Sequence, residues 1–154
     1  MVLREATTAD IPTLVALVQT AFAEYHGWLD PPSGAHRETP ETLRHALHTG
    51  FAALALVNTE AAGCVFYRQD GAHMYLGRLS VLPAFRRHGI GRALTEYVEQ
   101  RARSLGLWRV QLGVRLALPH LRAYYERLGY AVVRYEAHQG YAHPTSAVME
   151  KVLC

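Results

Sequence analysis

The 154-residue chain has one lysine, two cysteines and no long unbroken apolar run. Each shortage removes a class of protein. A P-loop needs Lys followed by Ser or Thr, whereas the lone Lys151 is followed by Val152. The cysteines are Cys64, inside the apolar run Ala61 to Tyr67, and Cys154, the last residue. No structural disulfide is expected between such positions, and both read as free thiols. Nothing beside Cys64 looks built to make a thiolate, so it reads as a small core residue. Arg, Glu or His interrupts every apolar stretch well short of the roughly 20 residues that a membrane-spanning helix needs. The opening MVLREATTAD carries Glu5 and Asp10 where a secretory leader would be basic and then apolar. A soluble, cytoplasmic protein with no membrane partner is expected.

Half of the residues are hydrophobic, enough at this length for one core and too few for two, so residues 1–154 read as a single domain. Charge is unevenly spread. From Leu76 to Arg134 there are 11 Arg against Glu96, Glu99 and Glu126, a local excess of +8, while the remainder carries −5. The basic half wants an anion: nucleic acid, a phosphorylated cofactor or plain solvent. The nine histidines are scattered; His45 and His48 share a short helix but lack a second pair or a cysteine partner, so no metal site is expected.

Val2 to Glu5 reads as a strand, followed by a helix with Ile11, Leu14, Val15, Val18, Ala21 and Phe22 at helical spacing and Pro12 in its first turn. Glu24 to Pro40 is a loop rich in Gly, Pro and ring side chains. A short helix follows, ending at Gly50. Phe51 to Val57 and Ala61 to Arg68 form a hairpin about Asn58-Thr59-Glu60, and Asp70-Gly71 leads to a strand from about His73 to Val81. From Gly89 the pattern is helical: Ile90, Ala93, Leu94, Tyr97, Val98 and Leu105 line one face, and Arg92, Glu96, Glu99, Gln100 and Arg103 the other, with Gly106 as the stop. Arg109 to Val114 is a strand, Pro119 to Leu128 a helix, and Tyr130 to Glu136 and Ser146 to Leu153 the last strands. This is an α/β chain of mixed strand direction, with a parallel crossover from Tyr75 to Val114.

The most informative stretch is Leu79-Ser80-Val81-Leu82-Pro83-Ala84-Phe85-Arg86-Arg87-His88-Gly89-Ile90-Gly91-Arg92. A strand ends at proline, a basic turn follows, and two glycines flank the first helical residue. Unpaired N–H groups and the positive dipole end make helix starts receptive to phosphate. Gly89 and Gly91 leave the backbone open, and Arg86, Arg87 and Arg92 supply charge. A Rossmann site is excluded, because Leu94 stands at the third glycine position and no acid lies between Glu99 and Glu126. A helix start with no ligand would leave the crowding of three arginines unexplained.

With Arg86, Gly89 and Gly91 in its fixed places, the stretch resembles the [QR]-x-x-G-x-[GA] acetyl-CoA motif of the GCN5-related N-acetyltransferase (GNAT) superfamily. Ala123-Tyr124-Tyr125-Glu126-Arg127-Leu128-Gly129-Tyr130 is similar to that superfamily's [FY]-Y-E-x-x-G-[FY] segment. The resemblance spans nearly the whole chain. It implies a mostly antiparallel sheet whose fourth and fifth strands splay, with flanking helices. Pantetheine would lie in the opening along Ser80 and Val81, with the Val81 N–H toward the thioester oxygen. The pyrophosphate would rest on Arg87, His88, Gly89, Ile90, Gly91 and Arg92. Tyr125 would be the acid for the leaving thiolate, and Tyr124 a packing residue.

The chain departs from that pattern in two places. Leu118 occupies the position of the Asn that contacts pantetheine in many members, with His120 as a weak substitute. The fourth strand offers His73, Tyr75 and Arg78 but no carboxylate, so Glu24 at the end of the first helix is the candidate base, with a solvated acid as the plain alternative. The expected activity is acetyl transfer from acetyl-CoA to a primary amine by direct attack, the acceptor being a small molecule or a peptide. The rivals are a non-catalytic acyl-CoA sensor and, less supported for want of any motif, a nucleic-acid binder. A homodimer stays open.

Overall fold

A computed structural model describes residues 1–153; Cys154, expected as a free thiol, lies outside them. Strands β1 (Val2–Glu5), β2 (Phe51–Val57), β3 (Glu60–Asp70), β4 (His73–Val81), β5 (Arg109–Arg115), β6 (Ala131–Glu136) and β7 (Ser146–Val152) form one sheet in the order β1-β2-β3-β4-β5-β7-β6. Helices are α1 (Ile11–Phe22), α2 (Pro40–Thr49), α3 (Ile90–Ser104) and α4 (Pro119–Arg127). The expected element order holds, and every strand pair except β4-β5 is antiparallel.

The central strands are apolar on both sides because both sides are covered. On β2, Ala52 and Leu54 pack with Leu14, Val18 and Leu43 of α1 and α2, whereas Ala53 and Ala55 face the cluster of Leu94 and Val98. The hairpin turn uses only Asn58 and Thr59, with φ of 50° and 68°. Two successive positive values match the right-handed twist of the flanking strands, so β3 starts one residue earlier than its hydrophobicity suggests. The loop after α1 also holds short 3-10 turns at Ala23–Tyr25 and Gly34–Arg37, which its irregular composition hid.

Helix α3 buries Ile90, Leu94, Val98 and Ala102, each large side chain worth roughly 1.5–3 kcal/mol of burial. Two assignments on this helix are corrected. Leu105 is exposed at 44 %, since it caps the helix beyond the last turn that touches the sheet. Glu99 is buried, not solvated: its carboxylate accepts from Tyr130 Oη at 2.9 Å and Lys151 Nζ at 3.2 and 3.3 Å. A buried charge survives where it is paired and hydrogen-bonded, and its partners come from residues 31 and 52 positions away, beyond the reach of a helical wheel.

The functional geometry begins at β4. Its pairing with β5 comprises Met74↔Val110 and Tyr75↔Gln111 alone, after which the two strands part. On the other side, Phe66 pairs with Gly77 but Cys64 with Ser80, so Arg78 and Leu79 face one residue of β3. This is a bulge, and Arg78 takes a φ of 50° within it. The added local twist carries the end of β4 away from β5, giving the splay expected from the resemblance. Among the described residues no helix is long and apolar enough to cross a membrane.

Candidate active site

Beyond Val81 a 3-10 turn, Pro83–Phe85, leads to extended Arg86, and then Arg87 (φ 66°) and Gly89 (φ 76°) both take left-handed backbone before α3 begins. For Arg87 that conformation costs about 1–2 kcal/mol, a strain placed in the turn that precedes the helix. Among the described residues, the amides of Arg87, His88, Gly89, Ile90, Gly91 and Arg92 meet no backbone or side-chain acceptor. Such a run of free donors, mixed in handedness, forms an anion cradle at the positive end of a helix dipole. A Cβ on Gly89 would enter open space, while one on Gly91 would stand 2.7 Å from Tyr124 Oη. The residues present therefore suit a pyrophosphate: donors unpaired, approach unobstructed. His88 Nδ1 donates to Phe85 O at 3.1 Å, and Arg92 bonds Glu96 at 2.9 Å on the exposed face of α3.

Strand alternation decides what faces the gap. Leu82 N donates to Ala62 O across the β3-β4 ladder, so Ser80 also points at β3, and Val81 turns its amide and carbonyl toward the missing neighbour. The carbonyl is taken by Arg86 Nε at 3.2 Å. The same guanidinium reaches Ala21 O at 3.3 Å and the Glu24 carboxylate at 2.9 Å. Arg86 thus ties the loop to the end of α1. Glu24 is an exposed acid held by Arg86, and service as a base would require releasing that pair. The buried Ser80 hydroxyl donates to Arg78 O in the bulge at 3.0 Å. Cys64, on the neighbouring strand, is fully buried, and burial pushes its thiol up to about 12, which leaves no thiolate at neutral pH.

On α4, Tyr125 is buried between Tyr124 and Tyr130, with ring centroids 5.1 and 5.8 Å away. Burial, reinforced by Tyr124, Tyr25 and Tyr75, pushes its phenol well above the ordinary 10. Tyr25 comes from the 3-10 turn after α1 and Tyr75 from β4, so both approach Tyr125 of α4 closely enough to act on its charge. Among the described residues nothing hydrogen-bonds the Tyr125 hydroxyl. Tyr124 is half-buried and packs against the core and Gly91. Leu118 is buried and His120 exposed.

Two loops meet on the opposite face. The segment after α1 and that between β6 and β7 are joined by the Tyr141 hydroxyl on the Asp30 carboxylate. Arg115 at the end of β5 donates to Pro31 O at 2.7 Å and Pro32 O at 3.2 Å, and Arg78 pairs with Glu38 at 3.2 Å. Trp28 folds back to donate to Glu24 O at 2.8 Å. On β4 to β7 a depression of about 280 Å³ is lined by Tyr75, Gln111, Gly113, Glu136, His138 and Ser146, among others. Burial and Arg115 push the His138 imidazole below its ordinary value. The motifs pointed to the amide cradle and to Tyr125 and gave no sign of this depression. Tyr75, His138 and Arg115 belong to no motif; glycines inside strands, at Gly77 and Gly113, were the available sign of a close approach.

The sequence profile of the Acetyltransferase (GNAT) family matches residues 15–130. A search of curated proteins finds no match. Among solved structures, the chain resembles the ribosomal-protein-S18-alanine N-acetyltransferase of Escherichia coli at 19 % identity and TM-score 0.79, over 99 % of this chain and 93 % of that one. It resembles PaiA N-acetyltransferase of Thermoplasma acidophilum, in complex with coenzyme A, at 18 % identity and TM-score 0.80, over 98 % of both chains. An aminoglycoside 6'-N-acetyltransferase complexed with coenzyme A matches at 20 % identity and TM-score 0.77, over 99 % of this chain and 97 % of that one. At such identities the structures speak for the fold. The family match covers most of the sequence, from α1 to the residue before β6, and it includes the amide cradle, the splay and Tyr125: the chain belongs to the GNAT acetyltransferase family.

Proposed function

We propose that the protein transfers an acetyl group from acetyl-CoA to a primary amine by direct attack, in one domain and without a covalent enzyme intermediate. The observation that carries this reading is the run of free amides from Arg87 to Arg92 lying beside a gap into which Val81 turns its own amide. Acetyl-CoA, when bound, supplies the activated acyl group. The amides of Arg87 to Arg92 hold the pyrophosphate, with Val81 along the pantetheine arm, Ser80 being turned to β3 and Arg86 to α1, and the Val81 N–H available to a developing oxyanion, a role worth a few kcal/mol. The amine adds to the thioester carbonyl, forming the C–N bond, and the oxyanion collapses to break the C–S bond. The amine gives a proton to solvent, or to Glu24 if Arg86 releases it, the departing sulfur takes one from Tyr125, and Tyr125 recovers its proton from solvent. The acceptor is a small-molecule or peptide amine, as the names of the solved relatives would allow.

Acetyl-CoA should raise Tm, and free thiol should accumulate when an amine panel is added. Stabilisation without thiol release from any amine would support the rival, a non-catalytic acyl-CoA sensor; no stabilisation would remove both. A finer outcome concerns the clasped loops. Since Asp30 joins them through Tyr141, Asp30→Ala should raise the acceptor KM by about 10-fold or more, the cost of one lost hydrogen bond to a charged group at about 1.5–3 kcal/mol, with acetyl-CoA KM unchanged. Equal changes in both constants would make the clasp a purely structural contact.

A further inference from the structure

The acceptor pocket and the cofactor gap adjoin where β4 and β5 part. Two residues beyond their last pair stand Gly77 on β4 and Gly113 on β5, neither with a side chain to fill the opening. One ring lies against both. A Cβ on Gly77 would stand 3.3 Å from Tyr75 Cε1, and one on Gly113 would stand 3.6 Å from Tyr75 Oη. Tyr75 therefore spans the opening edge to edge, its ring on Gly77 and its hydroxyl at Gly113. The Arg68 guanidinium lies 4.4 Å from the ring centroid, which limits the ring's freedom to swing aside. Gly113 is exposed although it sits in a central strand, and both it and Tyr75 line the acceptor pocket.

We propose that Tyr75 sets acceptor choice: its ring, seated across Gly77 and Gly113, is the wall between the acceptor pocket and the reacting centre, and it admits primary amines on an unbranched carbon while turning away amines branched next to nitrogen. The inference rests on the acetyltransferase reading above. With its ring edge toward Gly77 and its hydroxyl toward Gly113, the Tyr75 side chain takes up space in the opening that neither glycine fills. A methyl branch next to nitrogen adds bulk where that side chain would be met first. Steric rejection of one extra carbon is worth about 10–200-fold. The hydroxyl has no hydrogen-bond partner among the described residues, so it acts by bulk, closing the Gly113 side of the opening as the ring closes the Gly77 side.

The test is acetyl transfer from acetyl-CoA to n-butylamine and sec-butylamine, with kcat/KM for each amine, KM for acetyl-CoA and the rise in Tm with acetyl-CoA. The wild type should favour n-butylamine by about 10-fold or more. Tyr75→Ala should bring the two amines to similar kcat/KM, with acetyl-CoA KM unchanged, and Tyr75→Phe, which keeps the ring on Gly77 but uncovers Gly113, should keep a smaller preference than the wild type. Should Tyr75→Ala lose its fold, Tyr75→Leu, which keeps apolar bulk but leaves Gly113 uncovered, makes the same comparison. A preference that survives in the folded variant, or an acetyl-CoA KM that shifts as far as the amine preference, overturns the proposal while the transferase reading stands. Failure of the wild type to be stabilised by acetyl-CoA overturns both readings, a readout that needs no acceptor, whereas a stabilised wild type that acetylates neither butylamine overturns the proposal alone.

Discussion

Tyr125→Phe should lower kcat by about 10²-fold, with acetyl-CoA KM nearly unchanged and Tyr124→Phe close to wild type. The C–S bond breaks at low cost only if the departing thiolate is protonated or hydrogen-bonded as it forms, and general acids supply about 10²–10⁴-fold. The lower end applies here. Burial drives the Tyr125 phenol well above 10, which keeps the proton in place and also makes it a weaker acid than one matched to neutral pH. The sign gives a second readout: with a raised pKa the acid form persists as pH rises, so activity should not fall through pH 10 on account of Tyr125. Stability should hardly change, because the hydroxyl has no hydrogen-bond partner among the described residues that its loss would orphan. Single-turnover acetylation measures the chemical step directly. A Tyr125→Phe rate equal to wild type would make the residue a core tyrosine and leave the proton to water.

What the sequence made legible follows from how local each signal is. The order of elements could be read because periodicity, turn residues and prolines act within a few positions, and the splay could be anticipated because the motif around Gly89 and Gly91 carries a known fold with it. The reasons behind that splay were not legible. They lie in the bulge at Arg78, where two residues of β4 face one of β3, and no short-range pattern marks which strand position will bulge. Glu99 shows the same limit for charge: a helical wheel places it outside, and only Tyr130 and Lys151, distant in the chain, make its burial tolerable. Arg86 is a subtler case. Its place in the motif could be read, but the partners of its guanidinium, Val81 O, Ala21 O and Glu24, follow from where α1 ends relative to β4. That one arrangement occupies both the expected phosphate-side arginine and the expected base. Elsewhere Tyr141 meets Asp30, and Arg115 at the end of β5 reaches Pro31 and Pro32, through loops whose lengths and compositions carry no periodic signal.

Gly91→Glu should abolish the rise in Tm that acetyl-CoA produces while leaving the unliganded protein folded. The two glycines of the motif differ in what they protect, which allows the cause to be separated. Gly89 is required by its backbone: at φ 76° with open space beyond, an alanine would cost about 1–2 kcal/mol of folding and obstruct little, so Gly89→Ala should lower Tm yet still respond to ligand. Gly91 lies in the first turn of α3 with ordinary helical freedom, and its constraint is Tyr124 Oη at 2.7 Å. That oxygen ends a side chain and can yield. A glutamate at the helix start is itself favourable by about 0.3–1 kcal/mol, which offsets part of the displacement and keeps the fold. The same carboxylate would sit among the amides meant for the pyrophosphate, satisfying the positive end of the dipole and repelling the ligand's charge. A ligand at 100 times its Kd stabilises by about 2.7 kcal/mol, so its loss is well within reach of a thermal melt. Gly91→Ala in a Tyr124→Phe background removes the contacting oxygen and adds no charge, and it should retain most of the ligand response. Full stabilisation of Gly91→Glu by acetyl-CoA would remove the pyrophosphate from this turn.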